Sequence, residues 1–319
     1  MKKLLIITVV YNRAKYIFDT IYSILNQSYG NFDYAIIDDG SIENNQFIYD
    51  SFNDNRLIII NKNNQGFTKT LKDYLVDKDE YEYISLQGAG DISYSNRVEE
   101  EIKILDKLSN IGIVSTNYKN RYVDSNRIIN NIITNNLFTI NDIFKKNSIN
   151  HGGVMFRYNI YKKAGGYREL YYYAQDKDLW LRMLRYSNAY VISDILYERV
   201  IISNDNVSND REKTLMQIVY SEFAKQCKIE RDNEGHDSVD LYGNRAILFR
   251  KKYKKAFRYA LKAYFKYLLE DNLPNSKRML YIYLNERSFN NIQSIFLYHI
   301  FNNIIFQYAF KKILKCIKR

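Results

Sequence analysis

The sequence predicts an α/β protein: a mostly parallel sheet flanked by helices, followed by a helical C-terminal region. Three observations predict it. Short apolar runs recur up to about residue 115, and several end abruptly in polar residues. Segments with helical periodicity lie between them. From Glu212 onward the strand-like runs stop and helical patterning takes over. Strands that alternate with helices pair in parallel, because each helix returns the chain across a face of the sheet.

The first strand is Leu4-Leu5-Ile6-Ile7-Thr8-Val9-Val10, which stops before Tyr11-Asn12-Arg13. Ala14 to Asn26 reads as a helix with Ile17, Ile21, Ile24 and Leu25 on one face. The second strand, Tyr34-Ala35-Ile36-Ile37, runs into Asp38-Asp39-Gly40-Ser41. A buried parallel strand that ends this way delivers polar groups to the carboxyl edge of a sheet, where open α/β sheets bind ligands. The plainer alternative is that Asp38 and Asp39 open a turn and cap a helix. Leu57 to Ile60 forms a third strand before the turn Asn63-Asn64-Gln65-Gly66. A fourth, Tyr81 to Leu86, ends at Gln87-Gly88-Ala89-Gly90-Asp91. Arg97 to Leu108 is a helix and Ile111 to Thr116 a further strand. Residues 116–210 are less regular and hold His151-Gly152-Gly153, Gly165-Gly166-Tyr167 and Gln175-Asp176-Lys177-Asp178-Leu179-Trp180.

With 319 residues, 46% of them hydrophobic, the chain can bury one large core or two modest ones. Cys227 and Cys316 stand far apart, which excludes a disulfide framework and a zinc site. Met1-Lys2-Lys3 precedes an apolar run too short for a signal segment, and no run approaches the ~20 apolar residues of a membrane span. A cytoplasmic setting is expected. The net charge of +11 belongs to the tail: residues 242–319 carry 17 Lys and Arg against 3 Asp and Glu. Such asymmetry points to an anionic surface as partner. Arg245 to Glu270 reads as one helix, with Phe249, Tyr253, Phe257, Leu261, Tyr264 and Leu268 on one face and Lys and Arg elsewhere. A last segment, Phe289 to Arg319, is aromatic-rich and basic. Two alternatives stand: helices lying in a membrane interface, or a subdomain with its aromatic residues in a core. No nucleic-acid motif accompanies the charge, so nucleic acid is not expected as a partner.

The ordered set Thr8 to Arg13, Asn26-Gln27-Ser28-Tyr29, Asp38 to Ser41, Asn64-Gln65-Gly66, Asp91-Ile92-Ser93 with Arg97, Gly165-Gly166-Tyr167, and Asp176 to Arg182 resembles family 2 glycosyltransferases of the GT-A fold. The resemblance covers roughly residues 1–240, including Arg231, Gly235 and Asp237. It implies a nucleotide-binding half at 1–115, an acceptor-binding half at 116–241 and a basic helical region at 242–319. It also implies a nucleotide-sugar donor, a glycan or lipid-linked acceptor, and work at the inner face of the plasma membrane. Thr8 and Tyr11 would hold base and ribose, Asp38 would line the pocket, Asp39 would accept a hydrogen bond from the base, and Lys69 would approach the diphosphate. Asp176 would be the general base of an inverting transfer. Its alternative role is a helix cap, with Trp180 in the core. His151 and Trp180 would face the acceptor.

One departure from the family pattern concerns the metal. Where the family carries Asp-x-Asp ligands for Mg²⁺ or Mn²⁺, this chain has Gly88-Ala89-Gly90, and only the following Asp91 remains. Hard cations take oxygen ligands, and glycine offers only its backbone carbonyl. The family's later histidine is also missing from Arg199 to Ser203. Three readings follow: a weakly held metal on Asp91; a metal-independent enzyme with Lys69, Arg97 or another cation at the diphosphate; or a silent sugar-nucleotide or glycan binding module.

Overall fold

The computed structural model describes residues 4–202, 210–270, 272–286 and 303. The expected segment Phe289–Arg319 therefore lies outside the described residues, apart from Asn303. The chain forms two compact units, Met1–Asn206 and Val207–Arg319. The division at 206/207 differs from the 115/116 and 241/242 boundaries read from the sequence.

The first unit opens with β1 (Leu4–Val10), α1 (Ala14–Leu25), β2 (Phe32–Asp39), the short α2 (Gln46–Tyr49), β3 (Leu57–Lys62), α3 (Phe67–Tyr74) and β4 (Tyr83–Leu86). These strands pair in parallel in the order β3-β2-β1-β4. β1 and the middle of β2 are apolar on both faces, as helix-covered parallel strands require, while β3 is partly exposed. All eight positions of β2 are buried. Ile17, Ile21 and Ile24 of α1 are fully buried against the same core as Val98, Ile102 and Leu105. That triplet belongs to α4 (Arg97–Lys107), which follows β5 (Ile92–Ser93).

Beyond β4 the sheet becomes mixed. The remaining elements are β6 (Ile111–Tyr122), β7 (Ile128–Asn131), β8 (Leu137–Phe138), α5 (Ile140–Lys145), β9 (Val154–Arg157), α6 (Tyr158–Lys163), α7 (Gln175–Met183) and β10 (Asn188–Ile201). β9 inserts antiparallel between β4 and β6, and β10 continues parallel to β6 and antiparallel to β5. The sheet is thus parallel over its first four strands and mixed after them, where a mostly parallel sheet was expected. β6 runs straight across the expected 115/116 boundary. Register shifts in β10 between Ile192 and Tyr197 mark a bulge, a device that re-aims a side chain, and here Tyr197 follows it.

The second unit begins with α8 (Arg211–Glu234), capped by Asp210, whose carboxylate accepts from Glu212 N at 2.9 Å. α8 ends at Gly235 with φ +80, and Arg231 pairs with Asp237 at 2.8 Å just beyond. α9 (Ser238–Tyr242) and a 3₁₀ turn (Gly243–Phe249) precede α10 (Lys254–Leu269) and α11 (Leu273–Glu286). The helix expected over Arg245 to Glu270 is therefore broken: residues 250–253 are extended or turn, and only the part from Lys254 is α-helical. Ala256, Ala260, Tyr264 and Leu268 of α10 pack with Met279, Leu280 and Leu284 of α11 and Leu215 of α8 in a separate core. Among the described residues, no helix is long and apolar enough to cross a membrane.

Candidate active site

The carboxyl ends of β1, β2 and β4 carry the polar groups. Asn12, just after β1, sits in the left-handed region (φ +52), which Asn tolerates better than most residues. Its backbone N donates to Ser41 Oγ at 3.0 Å, and its Oδ1 accepts from Ile42 N at 2.9 Å. The turn after β1 is thereby tied to the loop after β2. Gly40 has φ +78, and a Cβ there would meet Asn64 N at 2.6 Å, so conformation and space both demand glycine.

The two carboxylates of β2 shape loops. Asp38 accepts from Ser41 N (2.8 Å), Asn45 Nδ2 (2.7 Å) and Tyr49 OH (2.9 Å). Burial opposes its charge, yet these hydrogen bonds together hold its carboxyl below the usual range. Asp38 walls a pocket of about 320 Å³ with Ser41, Asn45, Asn61 and Lys62. Asp39, 2% exposed, accepts from Gln65 N (3.1 Å), Gly66 N (2.8 Å) and Thr70 Oγ1 (2.7 Å). A carboxylate has roughly four lone-pair sites, so one acceptor position remains. The Tyr11 ring is 48% exposed at the end of β1.

Several expected roles are corrected. Thr8 is fully buried within the sheet and its hydroxyl is hydrogen-bonded to Tyr34 OH at 2.9 Å, so it presents no surface to a ligand. Lys69 points to Asp73 (3.0 Å) and Glu169 (3.6 Å) on the surface of α3. Arg97 is fully buried, paired with Glu101 at 3.1 Å, and holds the core beneath the sheet rather than a diphosphate. Trp180 is likewise fully buried, with its ring against Phe156 and His151, so it supports the site from within instead of touching an acceptor.

At the end of β4, Thr20 of α1 pins the loop: its hydroxyl accepts from Gly90 N and donates to Asp91 O, both at 2.9 Å. The Ala89 methyl packs on the main core. The Asp91 carboxylate turns inward, accepting from Tyr197 OH at 2.6 Å and Val200 N at 2.9 Å. Burial pushes its carboxyl above the usual value against those two bonds, and the positive charges of Arg199 and Arg13 pull it back. A Cβ on Gly88 would lie 2.3 Å from Asp91 Oδ2. The residues present do not fit a divalent cation. Each oxygen of the one carboxylate already accepts a hydrogen bond, Gly88 and Gly90 bring no side-chain oxygen, and no cluster of three His, Cys, Asp or Glu forms among the described residues.

The loop of β4 meets the turn at His151–Gly153 through backbone. Gly88 N donates to Gly152 O at 3.0 Å, beside His151. His151 Nε2 bonds Tyr167 OH at 2.8 Å, and its ring contacts Phe67 of α3 edge-on, centroids 5.5 Å apart. Burial holds His151 below the usual imidazole range, while the charge of Asp176 pulls it up. Asp176 stands in the first turn of α7, after Ala174 in the left-handed region (φ +53). Its Oδ2 accepts from Asn147 Nδ2 at 2.7 Å. Asn147 Oδ1, Asn150 Nδ2 and Trp180 Nε1 are buried without a hydrogen-bond partner among the described residues. Unsatisfied buried groups are rare in folded proteins, and their gathering here marks a place built for more than stability. Asp39, Gly88, Asp91 and His151 are thus joined by successive contacts through α3 and Gly152, and the charge of Asp176 acts on His151. Asn147, Arg13 and Arg199 join them as residues whose roles were not read from the sequence. Only the match of Arg13 to the first motif hinted at any of them.

Residues 5–165 match the family model described as glycosyl transferase family 2, a range that holds Asp39 to His151 but stops before Asp176. An uncharacterized glycosyltransferase of Rickettsia typhi is 29% identical over 60% of this chain. The chain spans 61% of that relative's length, less than two thirds. The Escherichia coli protein named UDP-Glc:alpha-D-GlcNAc-diphosphoundecaprenol beta-1,3-glucosyltransferase is 24% identical, over 64% of this chain and 79% of its own. Staphylococcus aureus TarS, solved with UDP-GlcNAc, superposes with TM-score 0.53 at 14% identity, covering 88% of this chain and 90% of that one. At that identity the likeness speaks for the fold, GT-A.

Proposed function

Because this chain belongs to glycosyl transferase family 2, we propose that it moves a sugar from a nucleotide-sugar donor to a hydroxyl of a glycan or lipid-linked acceptor, with inversion at the anomeric carbon. The observation that carries this reading is the run of contacts from Asp39 through α3 and His151 to Gly152 and the β4 loop, with Asp176 held by Asn147 and its charge acting on His151. In this reading the nucleotide lies across the ends of β1 and β2, with the Tyr11 ring on the base and the remaining lone pair of Asp39 taking a base N–H. Donor and acceptor classes are supported by the UDP-GlcNAc in TarS and by the lipid diphosphate in the E. coli relative's name.

Asp176 takes the proton of the acceptor hydroxyl, and Asn147 holds its carboxylate in place. The acceptor oxygen forms its bond to the anomeric carbon on one face. On the opposite face the bond to the diphosphate oxygen breaks, and the nucleoside diphosphate leaves with the electron pair. The leaving charge calls for compensation worth several kcal/mol. Since the donor set at β4 does not suit a metal, Arg13 and Arg199, whose charges reach Asp91, supply it. We place the reaction on the inner face of the plasma membrane, reached through the basic C-terminal unit. A second reading, a silent sugar-nucleotide or glycan binding module, is favoured by the engaged carboxylate of Asp91; donor hydrolysis or transfer rules it out.

The test begins with thermal shift against a panel of nucleotide sugars, since a ligand of the native state raises its melting temperature. With the donor identified, Asp176→Asn is expected to lower transfer by about 10²–10⁴-fold and leave the donor-induced shift unchanged. Transfer that survives the substitution removes Asp176 as base. Wild-type transfer is expected to persist in EDTA; a strict requirement for Mn²⁺ removes Arg13 and Arg199 from the role given them.

A further inference from the structure

The second unit holds a cavity of about 620 Å³ between α8 and the start of α10. Lys252, Lys254, Lys255, Arg258 and Lys262 line it, with Tyr253 and Tyr259. These five cations are exposed, and none takes part in an ion pair among the described residues. The one carboxylate in the lining, Glu222, is paired with Lys225 at 2.9 Å. Five like charges around one hollow repel one another, so the hollow is built for an anion.

A second observation concerns α10 itself. Its first turn contains no acidic residue and its N-cap makes no side-chain hydrogen bond, yet it begins Lys254-Lys255. Cations at a helix N-terminus oppose the helix dipole, and an anion there relieves both the dipole and the unpaired N–H groups. The third observation is apolar. Leu241, Tyr242, Leu248 and Phe249 are exposed, Leu248 by 78%, and Tyr242 stacks on Phe249 with centroids 4.2 Å apart. Gln226 of α8 ties this apolar knuckle to the cavity. Its Nε2 donates to Phe249 O (3.4 Å), and its Oε1 accepts from Lys251 N (2.8 Å) and Tyr253 OH (2.7 Å).

We propose that this cavity receives the phosphate of an anionic phospholipid headgroup while the adjoining knuckle enters the acyl boundary, docking the protein on a membrane. Exposed apolar side chains beside a cationic hollow suit a lipid surface, which offers both chemistries at once. A soluble phosphate would match the cations and leave the knuckle without a purpose. The inference gives a site to the membrane location proposed above and is independent of the transfer chemistry.

The experiment uses the full chain and sedimentation with vesicles of phosphatidylcholine alone or mixed with phosphatidylglycerol. Wild-type protein is expected to sediment only with the anionic vesicles, and less so as salt rises. Lys255→Glu/Arg258→Glu is expected to lower partitioning by about tenfold or more. Lys107→Glu/Lys146→Glu, exposed lysines of the first unit with the same charge change, is expected to shift it by less than about threefold. Circular dichroism verifies that both variants fold. Equal losses in the two variants overturn the cavity as the site while leaving membrane docking standing. Absence of wild-type sedimentation overturns docking. If pyrophosphate raises the melting temperature of wild type but not of Lys255→Glu/Arg258→Glu, and vesicles do not bind, the cavity takes a soluble phosphate and the lipid assignment falls.

Discussion

The ends of β2 and β4 look alike in outline, each an apolar strand closing on an aspartate and a glycine, and they use those residues in opposite ways. At β2, the buried Asp38 and Asp39 accept six hydrogen bonds from the loop after β2, α2, the turn after β3 and α3, which shape a ligand-sized edge. At β4, Asp91 folds back and spends both oxygens on β10, with glycine beneath it because its carboxylate fills the space of a Cβ. The difference teaches that a surviving acidic residue in a motif is no evidence of the motif's chemistry. What matters is which donors its oxygens already have.

The largest effect expected from this contrast is at β2. Asp39→Asn removes the acceptor for at least one of the three donors and turns an amide N–H₂ toward the others. A cost of about 3 kcal/mol in unfolding free energy is expected, together with loss of nucleotide-induced thermal shift. Asp38→Asn should match the stability loss and keep more of the ligand shift, since the hydrogen bonds to Asp38 all come from its own loop and α2. Equal ligand effects from the two would erase the distinction. Next comes Gly88→Ala. Its φ carries no penalty, so the cost lies in overpacking against the pinned Asp91 carboxylate, about 1–3 kcal/mol by denaturant unfolding. A neutral result would mean that the carboxylate is free to move and that the lock described at β4 is loose.

The smallest effect separates the two regions by pH. His151, tied to the β4 loop, has a folded pKa depressed below the ordinary imidazole value of 6.5, because burial disfavours the imidazolium. Its contribution is present above pH 6.5 and is lost as pH falls through the folded value, by at most about 1.4 kcal/mol per pH unit. Asp38 has a carboxyl depressed below 3.8, so its contribution is lost only below that pH. Asp91, raised by burial, works in the reverse sense, and comparing wild type with His151→Gln removes it from the difference. Unfolding free energies that diverge between these two proteins above pH 6.5 and converge below it are expected; parallel profiles would show His151 titrating normally.

The first four parallel strands were legible because helix-covered strands must be apolar on both faces, and runs such as Leu4–Val10 and Tyr34–Ile37 say so directly. α1 and α4 followed from their 3.6-residue spacing. β9 was not legible: four residues, Val154–Arg157, carry too little pattern to announce an antiparallel partner for β4 and β6, which only tertiary pairing supplies. Among site residues, Tyr11 and Asp39 sit where strand ends placed them. Lys69 and Arg97 were misread as available cations, although Asp73 and Glu101, each four residues on, were the signal that their charges were taken. Trp180 stands between Leu179 and Leu181, a setting that favours the core. The break in the tail helix at residues 250–253 carries no glycine or proline, so helical periodicity alone passes over it.

Tyr197 holds a further consequence, one of mutational coupling. Added Cβ atoms at Gly88, Gly152 and Gly153 would all come within 2.9 Å of its ring or hydroxyl. One tyrosine therefore crowds three glycines that lie in two segments far apart in the sequence. A side chain added at position 88 meets Tyr197 as well as the Asp91 carboxylate, so substitutions at 88 and 197 are expected to be epistatic.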